Sequence, residues 1–129
     1  MILLDTCALL WLASDQTQLS EPSKKAIAAA NAGNLYLSSI SAFEIAIKVR
    51  NGHLILPIST EEWIEEAIRL HGIEEIPINS SVSARSVLLP QLHKDPCDRF
   101  IIATAQIYHL KILTKDKMIP KYPDVQVIW

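Results

Sequence analysis

Met1-Ile2-Leu3-Leu4-Asp5-Thr6-Cys7-Ala8-Leu9-Leu10-Trp11-Leu12-Ala13 opens the chain. Its first four residues form a short apolar run of the kind found in a buried strand. Asp5 ends that run with a carboxylate. Between Thr6 and Ala13 there is neither Gly nor Pro, so the segment predicts a short helix directly behind the acid. A buried strand that passes straight into a helix is the unit from which α/β folds are built.

Outward from this stretch the alternation repeats. Ser20 as N-cap and Pro22 in the first turn start a helix that runs through Lys24 to Ala32, where Gly33 and Asn34 stop it. Leu35-Tyr36-Leu37-Ser38-Ser39 predicts a second strand. Ser39 or Ser41 caps the helix that follows, which continues to about Asn51-Gly52. Leu54-Ile55-Leu56 is a short extended piece closed by Pro57. Ser59 or Thr60 caps the next helix, with Glu61 and Glu62 in its first turn, where the helix dipole favours acids, and His71-Gly72 ends it. Ile76-Pro77-Ile78 is extended, Ser80 to Leu89 is helical, and Pro90 follows. Pro96-Cys97-Asp98 begins a helix carrying Phe100, Ile101, Ile102, Ala105 and Tyr108. Lys111-Ile112-Leu113-Thr114 and Val125-Gln126-Val127-Ile128-Trp129 predict the last two strands.

Short apolar strands alternating with helices give an α/β fold with a mainly parallel sheet. At 129 residues, without repeats or a linker, the chain is expected to be one domain spanning residues 1–129. In such sheets ligands bind beyond the carboxyl ends of the strands, where Asp5 and Asp116 both stand.

Half of the residues are hydrophobic, and 12 basic against 14 acidic residues leave a net charge of −2. That balance argues against broad, charge-driven binding to DNA, which normally leaves a basic footprint. It allows an enzyme that touches nucleic acid at one site, with a divalent cation supplying the positive charge. The longest apolar stretch, Cys7 to Ala13, is far short of the about 20 residues that cross a bilayer. Asp5 interrupts the N-terminal apolar run and no basic segment precedes it, so no secretory signal is expected. A cytoplasmic protein with no membrane partner follows, its Cys7 and Cys97 reduced and acting as small core fillers. Trp11, Trp63 and Trp129 fall at positions that suit core or dimer packing.

Glu44 is the most informative residue. On a helix, Ile40, Phe43 and Ile47 fall on one face, and Glu44 lies within that apolar stripe. A carboxylate there needs a cation or a donor. The alternative is a pair with Lys48 one turn on, at the helix edge. Asp5 can cap the helix behind it, Asp116 can serve a turn, and Asp98 can be a first-turn acid, with Asp95 the stronger N-cap just ahead of Pro96. Taken together, four acids are placed where they can converge. Two unit charges 4 Å apart repel by about 4 kcal/mol at an effective dielectric of 20, so the four need protons or cations. Oxygen-only ligands suit Mg²⁺ or Mn²⁺, and such a site fits phosphodiester hydrolysis.

At this point the motifs match a known pattern. Leu3-Leu4-Asp5-Thr6-Cys7-Ala8-Leu9-Leu10 resembles the strand-end Asp-Thr motif of PIN domains, and in particular of VapC-like toxins of bacterial toxin–antitoxin pairs. Ser39-Ile40-Ser41-Ala42-Phe43-Glu44-Ile45-Ala46-Ile47-Lys48, followed by Gly52-x-Leu54, resembles the second acidic motif. His93-Lys94-Asp95-Pro96-Cys97-Asp98-Arg99-Phe100-Ile101-Ile102-Ala103 resembles the specific DPxDR-x-x-IA segment of one subgroup, with Cys97 where a bulkier apolar residue is common. Leu113-Thr114-Lys115-Asp116 resembles the last acidic motif. The resemblance covers essentially the whole chain. It implies a three-layer α/β/α sandwich with a central mainly parallel sheet. It also implies an acidic quartet of Asp5, Glu44, Asp98 and Asp116, a Mg²⁺- or Mn²⁺-dependent endoribonuclease acting on RNA, an antitoxin that blocks the site, and a homodimer.

Five residues qualify as support. Thr6 and Thr114 sit beside carboxylates and either orient an acid or satisfy turn backbone. Arg99 contacts phosphate or forms a structural or interface salt bridge, and Lys48 and Asp95 belong with it. His93 with Cys97 and Cys7 is a weak zinc set, lacking a fourth ligand. His53, His71 and His109 read as ordinary loop or helix-end residues. A phosphatase-like or phosphotransfer hydrolase is disfavoured by Thr6-Cys7 after Asp5, where such enzymes place a Lys or a second Asp. A binding module with purely structural acids is the remaining alternative.

Overall fold

Alternation of side chains across five strands decides the layers. In the computed structural model, which describes residues 1–30 and 33–129, β1 (Ile2–Leu4) sends Ile2 and Leu4 to one face of the sheet and Leu3 to the other. β2 (Leu35–Ser38) divides Leu35 and Leu37 from Tyr36 in the same way, and β3 (Ile73–Ile76) divides Ile73 from Ile76. β4 (Lys111–Leu113) separates Leu113 from Ile112, and β5 (Val127–Ile128) separates Ile128 from Val127. Two apolar cores result, one on each side of the sheet.

Leu9 and Leu12 of α1 (Thr6–Ala13), Ala26 and Ile27 of α2 (Glu21–Ala29), and Trp63 and Ile64 of α4 (Thr60–His71) cover the first face. Val82 of α5 (Ser80–Leu88) and Ile101, Ile102 and Ala105 of α6 (Pro96–Tyr108) cover the second. α3 (Ser39–Arg50) serves both, with Ile45 in the first core and Ile40 in the second. This is the three-layer α/β/α sandwich that the family resemblance implies.

All five strands are parallel, in the order β3-β2-β1-β4-β5. The chain moves outward from β1 through β2 to β3, then returns to the other side of β1 for β4 and β5. The direction of winding therefore switches between β1 and β4. A crevice opens beyond the carboxyl ends of two strands at such a point. Asp5 follows β1 there, and Thr114 and Asp116 follow β4.

Several boundaries differ from the expectations. α2 ends at Ala29, with Ala30 as its C-cap. The expected continuation to Ala32 falls on Asn31 and Ala32, outside the described residues. β2 stops at Ser38, and Ser38 caps α3 by accepting from the Ile40 N–H at 3.2 Å, not Ser39 or Ser41. Ser39 is engaged elsewhere, its hydroxyl accepting from the Ile78 N–H at 3.1 Å. β3 lies at Ile73–Ile76 rather than at Ile76-Pro77-Ile78. Pro77 has no N–H for a ladder, and the exposed Glu74 and Glu75 hide an edge strand from a hydropathy reading. Leu54-Ile55-Leu56 joins no strand, and Ile55 is 91% exposed. Of Val125–Trp129, Val127 and Ile128 alone form strand.

The caps at Ser59 and Asp95 are where the sequence puts them, and Gly72 ends α4 in the left-handed conformation at φ +60°. Trp63 is buried, and the rings of Trp11 and Trp129 pack at 5.6 Å, as core positions require. Cys97 is buried, but Cys7 is exposed and fills no core, because α1 turns its Ala8, Leu9 and Leu12 inward instead. No helix among the described residues is long and apolar enough to cross a membrane.

Candidate functional site

The two strand-end segments at the switch point are stitched together before any side chain acts: the Asp5 N–H donates to the Leu113 carbonyl at 3.2 Å. Asp5 then divides its carboxylate. Oδ1 accepts from the Ala8 N–H at 2.8 Å and caps α1, while Oδ2 accepts from the Thr114 hydroxyl. The capping and functional readings of Asp5 are therefore compatible, one oxygen serving each. Burial pushes the Asp5 carboxyl above its usual range. The Thr114 and Ala8 hydrogen bonds oppose that rise, and the charges of Glu44 and Asp116 add to it.

Glu44 reaches the same crevice from α3, though not as the apolar stripe suggests. Phe43 is 55% exposed and Ile47 is half-buried; the buried arc of α3 is Ile40, Ser41 and Ile45. Glu44 projects between Ile40 and Ser41 around the helix, onto a polar floor. There Thr6, itself buried, donates its hydroxyl to Glu44 Oε1 at 2.7 Å. With that proton committed, the Ser41 hydroxyl donates to Thr6 Oγ1 at 3.0 Å. The alternative Glu44–Lys48 pair does not form: the Lys/Arg–carboxylate pairs among the described residues are Lys24–Glu21 and Arg69–Glu66. Burial raises the Glu44 pKa first, Thr6 lowers it, the Asp95 charge raises it, and the Lys48 charge lowers it.

Asp98 stands in the first turn of α6, released from capping by Asp95, which accepts from the Cys97 N–H at 2.9 Å. Burial pushes Asp98 up to about 6, against the pull of His93 and with the push of Glu44, Asp95 and Asp116. Its carboxylate receives no hydrogen bond among the described residues. Asp116 is held at both oxygens. Oδ1 accepts from the Met118 N–H at 2.8 Å, and Oδ2 lies 2.8 Å from His93 Nε2. Partial burial raises its pKa, but the hydrogen bonds from His93 and Met118 outweigh that and leave it below the ordinary range.

His93 is the residue the sequence reading missed. Weighed there only as a zinc ligand beside Cys97, it instead groups with Asp98 and Asp116, their ligand atoms all within 4.8 Å of one another. Cys97 groups with Glu44 and Asp95, and Cys7 is exposed, so the zinc set is not assembled. The usable signal was chain geometry. Only Lys94 and Asp95 separate His93 from the start of α6, which keeps its ring near Asp98.

Arg99 is not in the site. Its guanidinium donates to the carbonyls of Ser86, Val87 and Leu89 at the end of α5. Adjacent helical residues project about 100° apart, so Arg99 turns away from the crevice that Asp98 faces. Thr6 donates its hydroxyl to Glu44, and Thr114 donates its hydroxyl to Asp5. Thr114 does more: its Oγ1 accepts from the Asp116 N–H at 3.1 Å, so one buried hydroxyl ties Asp5 to Asp116. Thr114→Val is expected to lower stability by about 1–3 kcal/mol, the cost of leaving the Asp116 amide and an Asp5 oxygen without partners. An unchanged denaturation midpoint would show that neither bond orders the site.

Asp5 feels the charges of Glu44 and Asp116, and Asp98 those of Glu44, Asp95 and Asp116; the groups with ligand atoms within 4.8 Å of one another are His93 with Asp98 and Asp116, and Glu44 with Asp95 and Cys97. An oxygen-rich set in which Asp98 accepts no hydrogen bond among the described residues, and is raised first by burial and then by its neighbours' charge, suits a divalent cation.

The chain is similar to known proteins over nearly its whole length. A PIN domain family model matches residues 2–125. The chain is 29% identical to Ribonuclease VapC22 of Mycobacterium tuberculosis, over 99% of this chain and 98% of that protein. A solved toxin–antitoxin complex from Klebsiella pneumoniae contains a chain 25% identical to this one, with a TM-score of 0.65 and coverage of 97% of this chain and 95% of that one. FitAcB from Neisseria gonorrhoeae matches in fold, with a TM-score of 0.69 at 23% identity, covering 98% of this chain and 96% of that one.

Proposed function

The chain belongs to the PIN-domain family, and on that premise we propose that it is the ribonuclease toxin of a toxin–antitoxin pair, with Asp5, Glu44, Asp98 and Asp116 holding the metal that its chemistry needs. The observation that supports this reading is the grouping of Asp98 and Asp116 with His93, their ligand atoms all within 4.8 Å of one another, with the charges of Asp116 and Glu44 acting on Asp5. The similarity to Ribonuclease VapC22 supports RNA as the substrate, and the similarity to a toxin–antitoxin complex supports an antitoxin as the partner. A cytoplasmic homodimer is the assembly we propose.

Asp5, Glu44, Asp98 and Asp116 would hold Mg²⁺ or Mn²⁺, which would supply positive charge for a scissile phosphate and acidity for an attacking water. The chain's own residues prepare that site. Ala8 and Thr114 fix the two oxygens of Asp5, and Thr6 fixes one oxygen of Glu44. Asp116 is pinned between the Met118 amide and His93. Such fixing removes the need to reorganise when phosphate arrives, which is where electrostatic catalysis gains most. With a net charge of −2, the chain engages RNA at this crevice rather than along a basic surface.

The test is incubation of the purified protein with structured RNAs, with Mn²⁺ and with chelator. Cleavage is expected with the metal and not without it, and co-expression of the antitoxin is expected to relieve growth arrest. Failure to cut any RNA with Mn²⁺, together with no effect of expression on growth, overturns the proposal.

A further inference from the structure

Tyr122 sits behind the acidic crevice, 3% exposed, at the end of the short 3₁₀ turn Ile119–Lys121. Its hydroxyl has two partners on one residue. It accepts from the His93 N–H at 3.0 Å and lies 2.8 Å from His93 Nδ1. The two rings stack with centroids 5.5 Å apart and planes 25° from parallel. The opposite edge of the imidazole, Nε2, lies 2.8 Å from Asp116 Oδ2. His93 is therefore gripped between two residues of the stretch that follows β4, Asp116 on one side and Tyr122 on the other.

For the neutral imidazole, proton counting selects one direction for these bonds. The His93 N–H already donates to the Tyr122 oxygen, so the tyrosine's own proton is free to be donated to Nδ1. Nδ1 is then an acceptor, and the ring proton resides on Nε2, where it points at the Asp116 carboxylate. The opposite tautomer would aim an Nε2 lone pair at a carboxylate oxygen 2.8 Å away and leave the buried Tyr122 proton without an acceptor.

We infer that His93 is a positioning residue for Asp116, held as the Nε2–H tautomer by Tyr122, so that a Tyr122–His93–Asp116 relay orients the carboxylate without His93 itself ligating the metal. This rests on the proposed metal centre. The relay continues the tie already described: the Asp116 N–H donates to Thr114, and Thr114 donates to Asp5. A single chain of hydrogen bonds thus runs from a buried tyrosine to the carboxylate at the end of β1. Outer hydrogen bonds of this kind are commonly worth tenfold to a hundredfold in metal affinity or activity.

Two measurements test it. Long-range ¹H–¹⁵N spectra of the metal-free protein report the tautomer: wild type is expected to carry the proton on Nε2, and Tyr122→Phe to shift toward a mixture. A wild-type ring protonated on Nδ1 would expose Nε2 as a ligand and overturn the inference. Mn²⁺ binding is then titrated directly for wild type, His93→Ala and His93→Gln, with the fold of each checked by thermal melting. His93→Ala is expected to bind Mn²⁺ about tenfold to a hundredfold more weakly. His93→Gln, whose amide nitrogen reaches the position of Nε2–H, is expected to recover most of that loss, with KM for RNA unchanged and kcat following metal occupancy. Equal Mn²⁺ affinity in wild type and a folded His93→Ala overturns the relay, as does His93→Gln binding no better than His93→Ala. A wild type that binds no Mn²⁺ fails differently, since it removes the metal centre itself while the tautomer measurement still stands.

Discussion

Asp98→Asn is expected to abolish RNA cleavage, by about a thousandfold or more, and the folded variant is expected to melt higher than wild type in metal-free buffer. The first effect follows from removing one negative ligand of a centre whose work is charge stabilisation, worth several kcal/mol. The second follows from the environment of Asp98. No hydrogen bond to its carboxylate is present among the described residues, so the amide forfeits no donor. What it sheds is burial of a charge and repulsion from Glu44, Asp95 and Asp116, which together outweigh the lost attraction to His93.

The same environment sets a pH dependence. The folded pKa of about 6 lies above the ordinary value of 3.8. Below 3.8 both folded and unfolded chains hold the proton, and the site imposes no cost. Between the two values the folded chain binds the proton more tightly than the unfolded chain, so stability falls as pH rises through this window. The total is at most about 3 kcal/mol, reduced by solvent at the exposed edge of the carboxylate. Metal-free wild type is therefore expected to lose stability from pH 4 to pH 6 relative to Asp98→Asn, and Mn²⁺ is expected to restore it at neutral pH in wild type alone. Parallel pH profiles for the two proteins, or normal cleavage by the variant, would remove Asp98 from the centre.

Much of this was visible in the sequence, for identifiable reasons. Apolar runs ending in Asp5 and in Thr114-Lys115-Asp116 mark strand ends without reference to anything distant. Caps at Ser59 and Asp95 are equally local, because N-capping is decided within four residues. β3 was displaced because an edge strand with exposed Glu74 and Glu75 does not carry the apolar pattern of a central one. Glu44 was placed in the site by an argument that used the wrong face. α3 is apolar nearly all round, so its sequence could not say that Phe43 points outward and Ser41 inward; contact with Thr6 of α1 decides that. His93 and Tyr122 are separated by 29 residues, and their bond exists only once the segment after β4 folds back over the start of α6. Long-range polar pairing of this kind leaves no periodic trace.

Arg99→Met is expected to cost about 2–4 kcal/mol of stability, to lower the melting temperature by roughly 10 °C, and to spare cleavage in protein that remains folded. The reason lies thirteen residues upstream. In a continuing helix the Ser86 carbonyl would accept from the N–H of residue 90, but that residue is Pro90, which has none. α5 therefore ends with carbonyls that its own backbone cannot satisfy. Arg99 supplies the missing donors from α6. Its Nε and Nη2 donate to the Ser86 carbonyl at 3.1 and 2.8 Å, and Nη2 also donates to Val87 and Leu89 at 3.3 and 3.2 Å. A planar, permanently charged fork suits this task, so Arg99→Lys is expected to recover only part of the loss. The substitution separates two accounts of the Asp98-Arg99 pair. If Arg99 contacted phosphate, the methionine variant would melt with wild type and fail on RNA. Holding the end of α5 against α6 predicts the reverse: a protein that melts early, still binds Mn²⁺, and cuts RNA at near wild-type rate below its transition. Adjacent residues in one motif then have separate duties, one facing the crevice and the other keeping the helix that presents it docked to its neighbour.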